Sequence, residues 1–223
     1  MLDKSLPVVS ILDYGMGNLF SIKQACEHVG MKPIITSDRS VICASDALIL
    51  PGVGAFRDAM DCLHSMDLIV PLLDFVASGK PVMGICLGLQ LLLSESEEFG
   101  IHKGLGIIKG HVIRFPIRDE KGRMNKVPHV GWNRIYMNNN TDRKGWEKTP
   151  LTAVNDGEFM YFVHSYYVQP DENHVILSMT EYGGVEYCSS LLYKNVFGVQ
   201  FHPEKSSLEG MKIYRDWAKF LKN

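Results

Sequence analysis

The feature that most constrains this chain is an alternation running through its N-terminal half. Short β-branched runs, of which Val8–Leu12 is a continuous apolar one, take turns with stretches of helical spacing. The runs are Val8–Leu12 (VVSIL), Lys32–Thr36 (KPIIT), Ala47–Leu50 (ALIL) and residues 81–86 (PVMGIC). A run with no polar alternation suits a strand that is covered on both faces. Between the runs, residues 19–29, 55–66 and 68–78 read as helices, and residues 87–93 begin another. Asn18 stands where an N-cap belongs, Gly30 and Gly79 where helix-ending glycines belong, and Pro71 falls in a first turn that tolerates it. Strands alternating with helices predict an α/β, doubly wound and mainly parallel sheet.

The second half changes character. Residues 105–115, 132–137, 159–168, 175–181 and 185–200 are rich in Val, Ile, Tyr and Phe. Turn signals at Tyr182-Gly183-Gly184 and Lys194-Asn195 separate them. Additional antiparallel strands are expected there, followed by an amphipathic helix over residues 208–221. With no repeat and no low-complexity linker, the chain reads as one domain, residues 1–223. The segment 109–126 is locally basic. It reads either as a solvated hairpin or loop, or as a docking edge for an acidic partner.

Composition narrows the function. Of 223 residues, 46% are hydrophobic and 22% charged, which excludes a disordered or coiled-coil chain. The 23 Lys and Arg against 25 Asp and Glu leave a net charge of −2, so nothing global attracts nucleic acid or an anionic membrane. No stretch approaches the roughly 18 apolar residues of a membrane span, and the first apolar run is too short for a signal-peptide core. A cytoplasmic protein is expected. The five cysteines (Cys26, Cys43, Cys62, Cys86 and Cys188) are odd in number and include no Cys-x-x-Cys, against a disulfide framework or a zinc knuckle. Neither metal nor cofactor is called for, and at most one cysteine does chemistry. The other four read as buried structural thiols.

That one is Cys86, in Gly84-Ile85-Cys86-Leu87-Gly88-Leu89-Gln90. A strand runs into the cysteine and a helix starts at once, with glycines two residues before and two after. This is the cysteine counterpart of the Gly-x-Ser-x-Gly elbow. Neighbouring elements crowd both glycine positions. The sulfur is held where a helix begins, which favours a thiolate, and the amide of Leu87 is aimed at an oxyanion forming beside it. A base is supplied by His202 in Phe201-His202-Pro203-Glu204. Proline ends the strand, so His202 and Glu204 emerge together, and a carboxylate beside imidazole fixes its tautomer. The turn Gly52-Val53-Gly54 can present a second oxyanion donor. Gly15-Met16-Gly17 tempts a dinucleotide reading, but Phe20 occupies the place of the third glycine.

GICLGLQLL with QFHPE resembles the class I, or triad, glutamine amidotransferases. DYGMGNL, PGVGAF, VPHVGWN and YFVHSYY, in that order, resemble most closely the glutaminase subunits of imidazole glycerol phosphate synthase. The resemblance spans residues 13–206. It implies a flavodoxin-like fold with Cys86, His202 and Glu204 as a triad that cleaves L-glutamine through a thioester. It implies that Gln90 and Glu98 read the glutamine backbone ends, with main-chain groups of His164, Ser165 and Tyr166. It also implies a heterodimer in histidine biosynthesis, with a (β/α)8-barrel cyclase subunit that takes the ammonia. Trp132 and Tyr161 are candidates for that interface, or else core aromatics. Rival readings are the glutaminase of another synthase, a γ-glutamyl cysteine hydrolase, and a scaffold subunit without catalysis. Val53, β-branched in the oxyanion turn, suggests a donor that rests turned away until the liganded partner draws it round.

Overall fold

A computed structural model describes residues 6–118, 121–138 and 145–221. In chain order the elements are β1 (Val8–Leu12), α1 (Leu19–His28), β2 (Lys32–Thr36), α2 (Arg39–Ala44), β3 (Ala47–Leu50), α3 (Phe56–Ser65), α4 (Ile69–Ala77), β4 (Val82–Ile85) and α5 (Leu87–Leu91). Then come β5 (Glu95–Ser96), β6 (His102–Lys103), β7 (Gly110–Arg114), β8 (His129–Met137), β9 (Glu158–His164), β10 (Tyr166–Pro170), β11 (Ile176–Tyr182), β12 (Val185–Tyr193), β13 (Val196–Val199) and α6 (Ser207–Phe220).

The unbroken apolar runs become strands because alternate side chains feed two different cores. In β3, Ala47 and Ile49 join one core while Leu48 and Leu50 join the other. Helices α1 and α6 cover the first core through Ile22, Cys26, Ile213 and Trp217. Helices α2 to α5 cover the second through Ile42, Phe56, Leu72 and Leu89. The sheet is therefore wound on both faces. Its parallel part runs β2-β1-β3-β4-β13, and antiparallel strands continue it through β12, β10 and β7. A branch leaves β12 through β11 and β8 to β9. The parallel order of the first half and the antiparallel extension both match the expectation.

Several expected bounds shift for local reasons. Asn18 precedes α1 as foreseen, but its side chain makes no capping bond. Helix α2 was not foreseen. Its six residues are held by Asp38, whose side chain accepts from the amides of Ser40 and Val41 at 2.7 and 3.3 Å. The run 105–115 is a strand only over Gly110–Arg114. Its first part instead closes the end of α5, with Leu105 donating to the Leu91 carbonyl and Ile107 and Ile108 to that of Leu92. The run 159–168 breaks at Ser165, and 185–200 folds back at Lys194-Asn195. The basic segment past β7 includes an Arg118–Met124 bridge, while Asp119 and Glu120 lie outside the described residues.

Cys26 and Cys188 are buried, and burial pushes the Cys26 thiol up to about 12. Cys43 and Cys62 depart from the expectation. Neither is a buried thiol, Cys43 being exposed and Cys62 half-buried, while Cys62 does lie on a helix as expected.

Candidate active site

Strand β4 delivers Cys86 directly into α5, and the backbone at Cys86 takes φ +54° and ψ −108°. A non-glycine residue there is strained, and the surroundings hold it in place. Cys86 donates its own amide N–H to the Val199 carbonyl at 2.8 Å, locking the elbow to β13. The two flanking glycines are required sterically. A Cβ on Gly84 would lie 2.8 Å from Leu92 Cδ1 and 3.0 Å from the Leu89 nitrogen. A Cβ on Gly88 would lie 1.9 Å from the Leu50 carbonyl oxygen. Helix α5 thus lies directly on the ends of β3 and β4, as the elbow spacing predicts. It is one short turn, so what it offers at Cys86 is its open first-turn amides rather than a long dipole.

Strand β13 runs parallel to β4 with Val199 opposite Ile85. The residues after Val199 are thereby carried to Cys86. His202 donates its amide to the Tyr161 carbonyl at 2.9 Å, and Ser206 Oγ donates to the His202 carbonyl at 2.7 Å. His202 Nδ1 is 2.8 Å from Glu204 Oε1, both side chains being buried. Burial acts to discharge this ring, but the Cys86 sulfur and Glu204 outweigh it and raise His202 to about 10. The ring therefore carries its proton at neutral pH, between a sulfur and a carboxylate that both favour the charge.

A cavity of about 310 Å³ opens at the sulfur. It is lined by Val53, Gly54, Cys86, Leu87, Gln90, Glu98, Pro128, Val163, His164, Ser165 and Tyr166. Gln90, Glu98 and the segment His164–Tyr166 line this one space together with Val53, Gly54 and Leu87, whereas Gly52 and His202 are not among its lining residues. Of the three crowded glutamates, only Glu98 lines it. Glu95 pairs with His111, and Glu97 is exposed. Glu98 Oε2 also accepts from the Phe56 amide at 2.6 Å, fixing the start of α3. The break at Ser165 turns His164–Tyr166 along the cavity wall. The His164 ring itself is packed away, with Nδ1 2.8 Å from the Tyr166 carbonyl and Nε2 3.3 Å from the Tyr187 hydroxyl. Burial holds it neutral, down to about 3.

The Gly52-Val53-Gly54 turn lies against the elbow. A Cβ on Gly52 would lie 2.8 Å from Leu87 Cβ. Gly54 has φ +110°, whereas Val53 does not enter the left-handed region. Tyr14 Oη donates to the Pro51 carbonyl at 2.7 Å and braces this turn. The sequence reading missed that role, although Tyr14 lies in the DYGMGNL motif. It also missed Gln200, which touches the sulfur, and Pro128, which lines the cavity.

Trp132 is 52% exposed, so it is no core aromatic. It pairs across the β8–β9 ladder with Tyr161, rings 6.0 Å apart and edge-on. Val130, Tyr136 and Phe159 are exposed on the same two strands. Val163 on this ladder lines the cavity, so the aromatic face adjoins the site.

The fold and the cysteine site define a class, and the comparisons agree with it. The chain belongs to the class I glutamine amidotransferases, whose family model matches residues 10–219. Among solved structures, PurLQS from Thermotoga maritima superposes with a TM-score of 0.70 at 21% identity, covering 97% of this chain and 99% of that one. A glutamine amidotransferase from the same organism gives 0.62 at 13%, covering 90% and 76%. At those identities the likeness is one of fold. Within the class, the chain belongs with the HisH subunits of imidazole glycerol phosphate synthase. It is 46% identical over 213 residues to that of Syntrophotalea carbinolica (95% of this chain, 99% of the relative). To those of Bacillus subtilis and Aquifex aeolicus it is 43% identical over 212 and 210 residues, covering 95% and 94% of this chain and 96% and 95% of the relatives.

Proposed function

We propose that this chain, as one unit over residues 1–223, is the glutaminase subunit of imidazole glycerol phosphate synthase. The observation that carries the proposal is the placement of Cys86, Gln90 and Glu98 on one cavity, with the bonded His202–Glu204 pair carried to the Cys86 end of β4 by strand β13. The Cys86 thiolate attacks the side-chain amide carbon of L-glutamine. The carbonyl electron pair moves to oxygen and is met by amides of Leu87 and of the Gly52-Val53-Gly54 turn. His202 gives its proton to the departing nitrogen, the C–N bond breaks, ammonia leaves, and the acyl group stays on Cys86 as a γ-glutamyl thioester. His202, now neutral, takes a proton from water as the water oxygen bonds to the thioester carbon, and the C–S bond then breaks to release glutamate and the Cys86 thiolate. Gln90 and Glu98 hold the substrate's amine end, and the wall at His164, Ser165 and Tyr166 holds its backbone.

Ammonia in cell water is mostly ammonium and cannot act as a nucleophile, so a partner must receive it directly. We assign that partner as the cyclase subunit, docked on the aromatic face of Trp132 and Tyr161. Exposed aromatics beside a catalytic cavity suit an interface. We place the pair in the cytoplasm, where a free thiol stays reduced. No described helix is long and apolar enough to cross a membrane. The test is a coupled assay with this chain, the cyclase, glutamine and the ribonucleotide substrate. Product should form only when both chains are present. Glutamine-dependent product without this chain would end the proposal.

Two further outcomes follow. Val53 lies outside the left-handed region, which fits a donor at rest. Glutaminase turnover of the isolated chain should therefore rise about a hundredfold with the liganded cyclase, the worth of one oxyanion donor. Full turnover by the chain alone would refute this device. Glu204→Gln removes one of the influences raising His202, so burial then pulls the imidazole down. The competent imidazolium is lost as pH rises, so the alkaline limb of kcat/KM, near pH 10 in the wild type, should move toward neutrality. An amide also competes for the wrong tautomer, and kcat should drop by about 10⁴. An unmoved limb would remove Glu204 from the triad.

A further inference from the structure

His202 Nε2 makes no hydrogen bond among the described residues, and a different side chain reaches the sulfur. Gln200 is fully buried, and its Nε2 donates to Cys86 Sγ at 3.6 Å. Gln200 Oε1 accepts from Gln90 Nε2 at 3.1 Å. Gln90 Nε2 also donates to the Tyr166 carbonyl at 2.9 Å. The direction of this relay is fixed by one atom. A backbone carbonyl can only accept, so Gln90 must turn its NH₂ to Tyr166. That same NH₂ reaches Gln200, which must answer with its oxygen and so presents its own NH₂ to the sulfur. Both side-chain amides are oriented by Tyr166, and the glutamine face of the cavity is wired to the nucleophile.

We propose that Gln200 is a further catalytic residue: its side-chain N–H holds the Cys86 thiolate, and through Gln90 it ties the sulfur to the wall that receives glutamine. The proposal rests on the reading of Cys86 as nucleophile. A neutral donor favours ionised sulfur without adding charge, and a hydrogen bond to a charged acceptor is stronger than a neutral one. The site is buried, so solvent does not screen it. The division of labour with His202 is chemical. His202 must surrender its proton to ammonia during the cycle, whereas the Gln200 amide keeps its hydrogens. The sulfur therefore retains one donor while the imidazole is busy elsewhere. When the thioester forms, the sulfur's charge is gone and the Gln200 bond weakens, so the donor favours return of the free thiolate as glutamate leaves. Gln90, with both amide hydrogens committed, meets the ligand only through its oxygen, which selects an N–H donor such as the substrate's ammonium.

The test compares the full chain, in complex with the cyclase, as wild type, Gln200→Glu and Gln200→Met. Glutamate keeps an oxygen for Gln90 but offers the sulfur no N–H. Methionine keeps the volume and loses both bonds. Alkylation of Cys86 by iodoacetamide at pH 7 is followed peptide by peptide, with exposed Cys43 as the internal control. KM and kcat are measured alongside. Both variants should alkylate Cys86 about tenfold more slowly or worse, with Cys43 unchanged. The glutamate variant should lose kcat while nearly keeping KM, because its link to Gln90 survives. A purely structural role would leave the alkylation ratio of Cys86 to Cys43 unmoved in the folded methionine variant, which adds no charge beside the sulfur, and that result overturns the proposal. Should both variants fail to fold, the wild type still decides. A side-chain NH₂ resonance of Gln200 that does not shift when Cys86 is alkylated would also overturn it. Failure of the nucleophile reading looks different, since alkylating wild-type Cys86 would then spare glutamine turnover.

Discussion

Cys86→Ala should abolish glutamine-dependent product formation, by at least about 10⁴-fold, while leaving the complex able to use ammonia from solution. The first half follows from bond-making. The imidazolium at His202, the amides of Leu87 and the Gly52-Val53-Gly54 turn all act on a bond to carbon that only the sulfur can form. The second half follows from the fold. Alanine keeps the Cβ, so the strained φ of +54° at this position is unchanged. The elbow's hydrogen bond from the Cys86 amide to the Val199 carbonyl involves no side chain. Nothing that positions β4, β13 or α5 is lost except one buried sulfur, so the partner face on β8 and β9 stays as it was. Supplied with ammonium salt at alkaline pH, where a useful fraction is free ammonia, the variant complex should cyclise as the wild type does. Retention of glutamine-dependent turnover would refute the assignment of the nucleophile. Loss of the ammonia-dependent reaction would show that Cys86 serves the partner instead.

How much of this could be read from residues alone depends on how far apart the interacting groups lie in the chain. Strands β1, β2 and β3 were placed to the residue; for β1 and β3 an unbroken apolar run is a local statement about burial on two faces, whereas β2, a half-exposed edge strand, was marked by its Ile34-Ile35 pair after a helix-ending glycine. The elbow was legible for the same reason: Gly84 and Gly88 record, within five residues, how closely α5 approaches the sheet. His202 and Glu204 were legible because Pro203 forces them out together. Helix α2 was not, since six residues of weak spacing hold only because the Asp38 side chain satisfies two amides. The break at Ser165 carries no glycine or proline to announce it, and it is set by pairing of β10 with β7 and β9 with β8. Gln200 was hidden for a different reason. Its contact with Cys86 exists only because Val199 lies opposite Ile85, a register between strands more than a hundred residues apart. Tyr14 likewise gains its role from where Pro51 ends β3.

Gly88→Ala should be among the most damaging small substitutions in the chain. Its Cβ would fall 1.9 Å from the Leu50 carbonyl oxygen and 2.8 Å from the Leu50 carbonyl carbon. Both obstacles are backbone, so no side chain can swing aside, and either α5 must lift or the end of β3 must yield. Overpacking of a core costs about 1–3 kcal/mol, and a clash with main chain on a central strand belongs at the upper end. In a chain of this length that corresponds to a fall in Tm of roughly 6–12 °C. Gly30→Ala is the matched control. It has open space around it but sits at φ +80°, so its cost is conformational, about 1 kcal/mol, and far from the cavity. The two variants should part in activity more than in stability. The atoms that Gly88→Ala displaces lie one residue before Pro51 and the oxyanion turn on one side, and one residue after Leu87 on the other. Both sources of oxyanion donors therefore move relative to the sulfur, and misplacement by about 1 Å costs on the order of 10²-fold in rate. Assayed well below its Tm, Gly88→Ala should show that loss in glutaminase kcat while ammonia-dependent turnover of the complex holds, and Gly30→Ala should show neither. Wild-type kcat in Gly88→Ala would mean that the elbow can relax without moving its donors, and the close approach of α5 to β3 would then be a packing feature with no catalytic purpose.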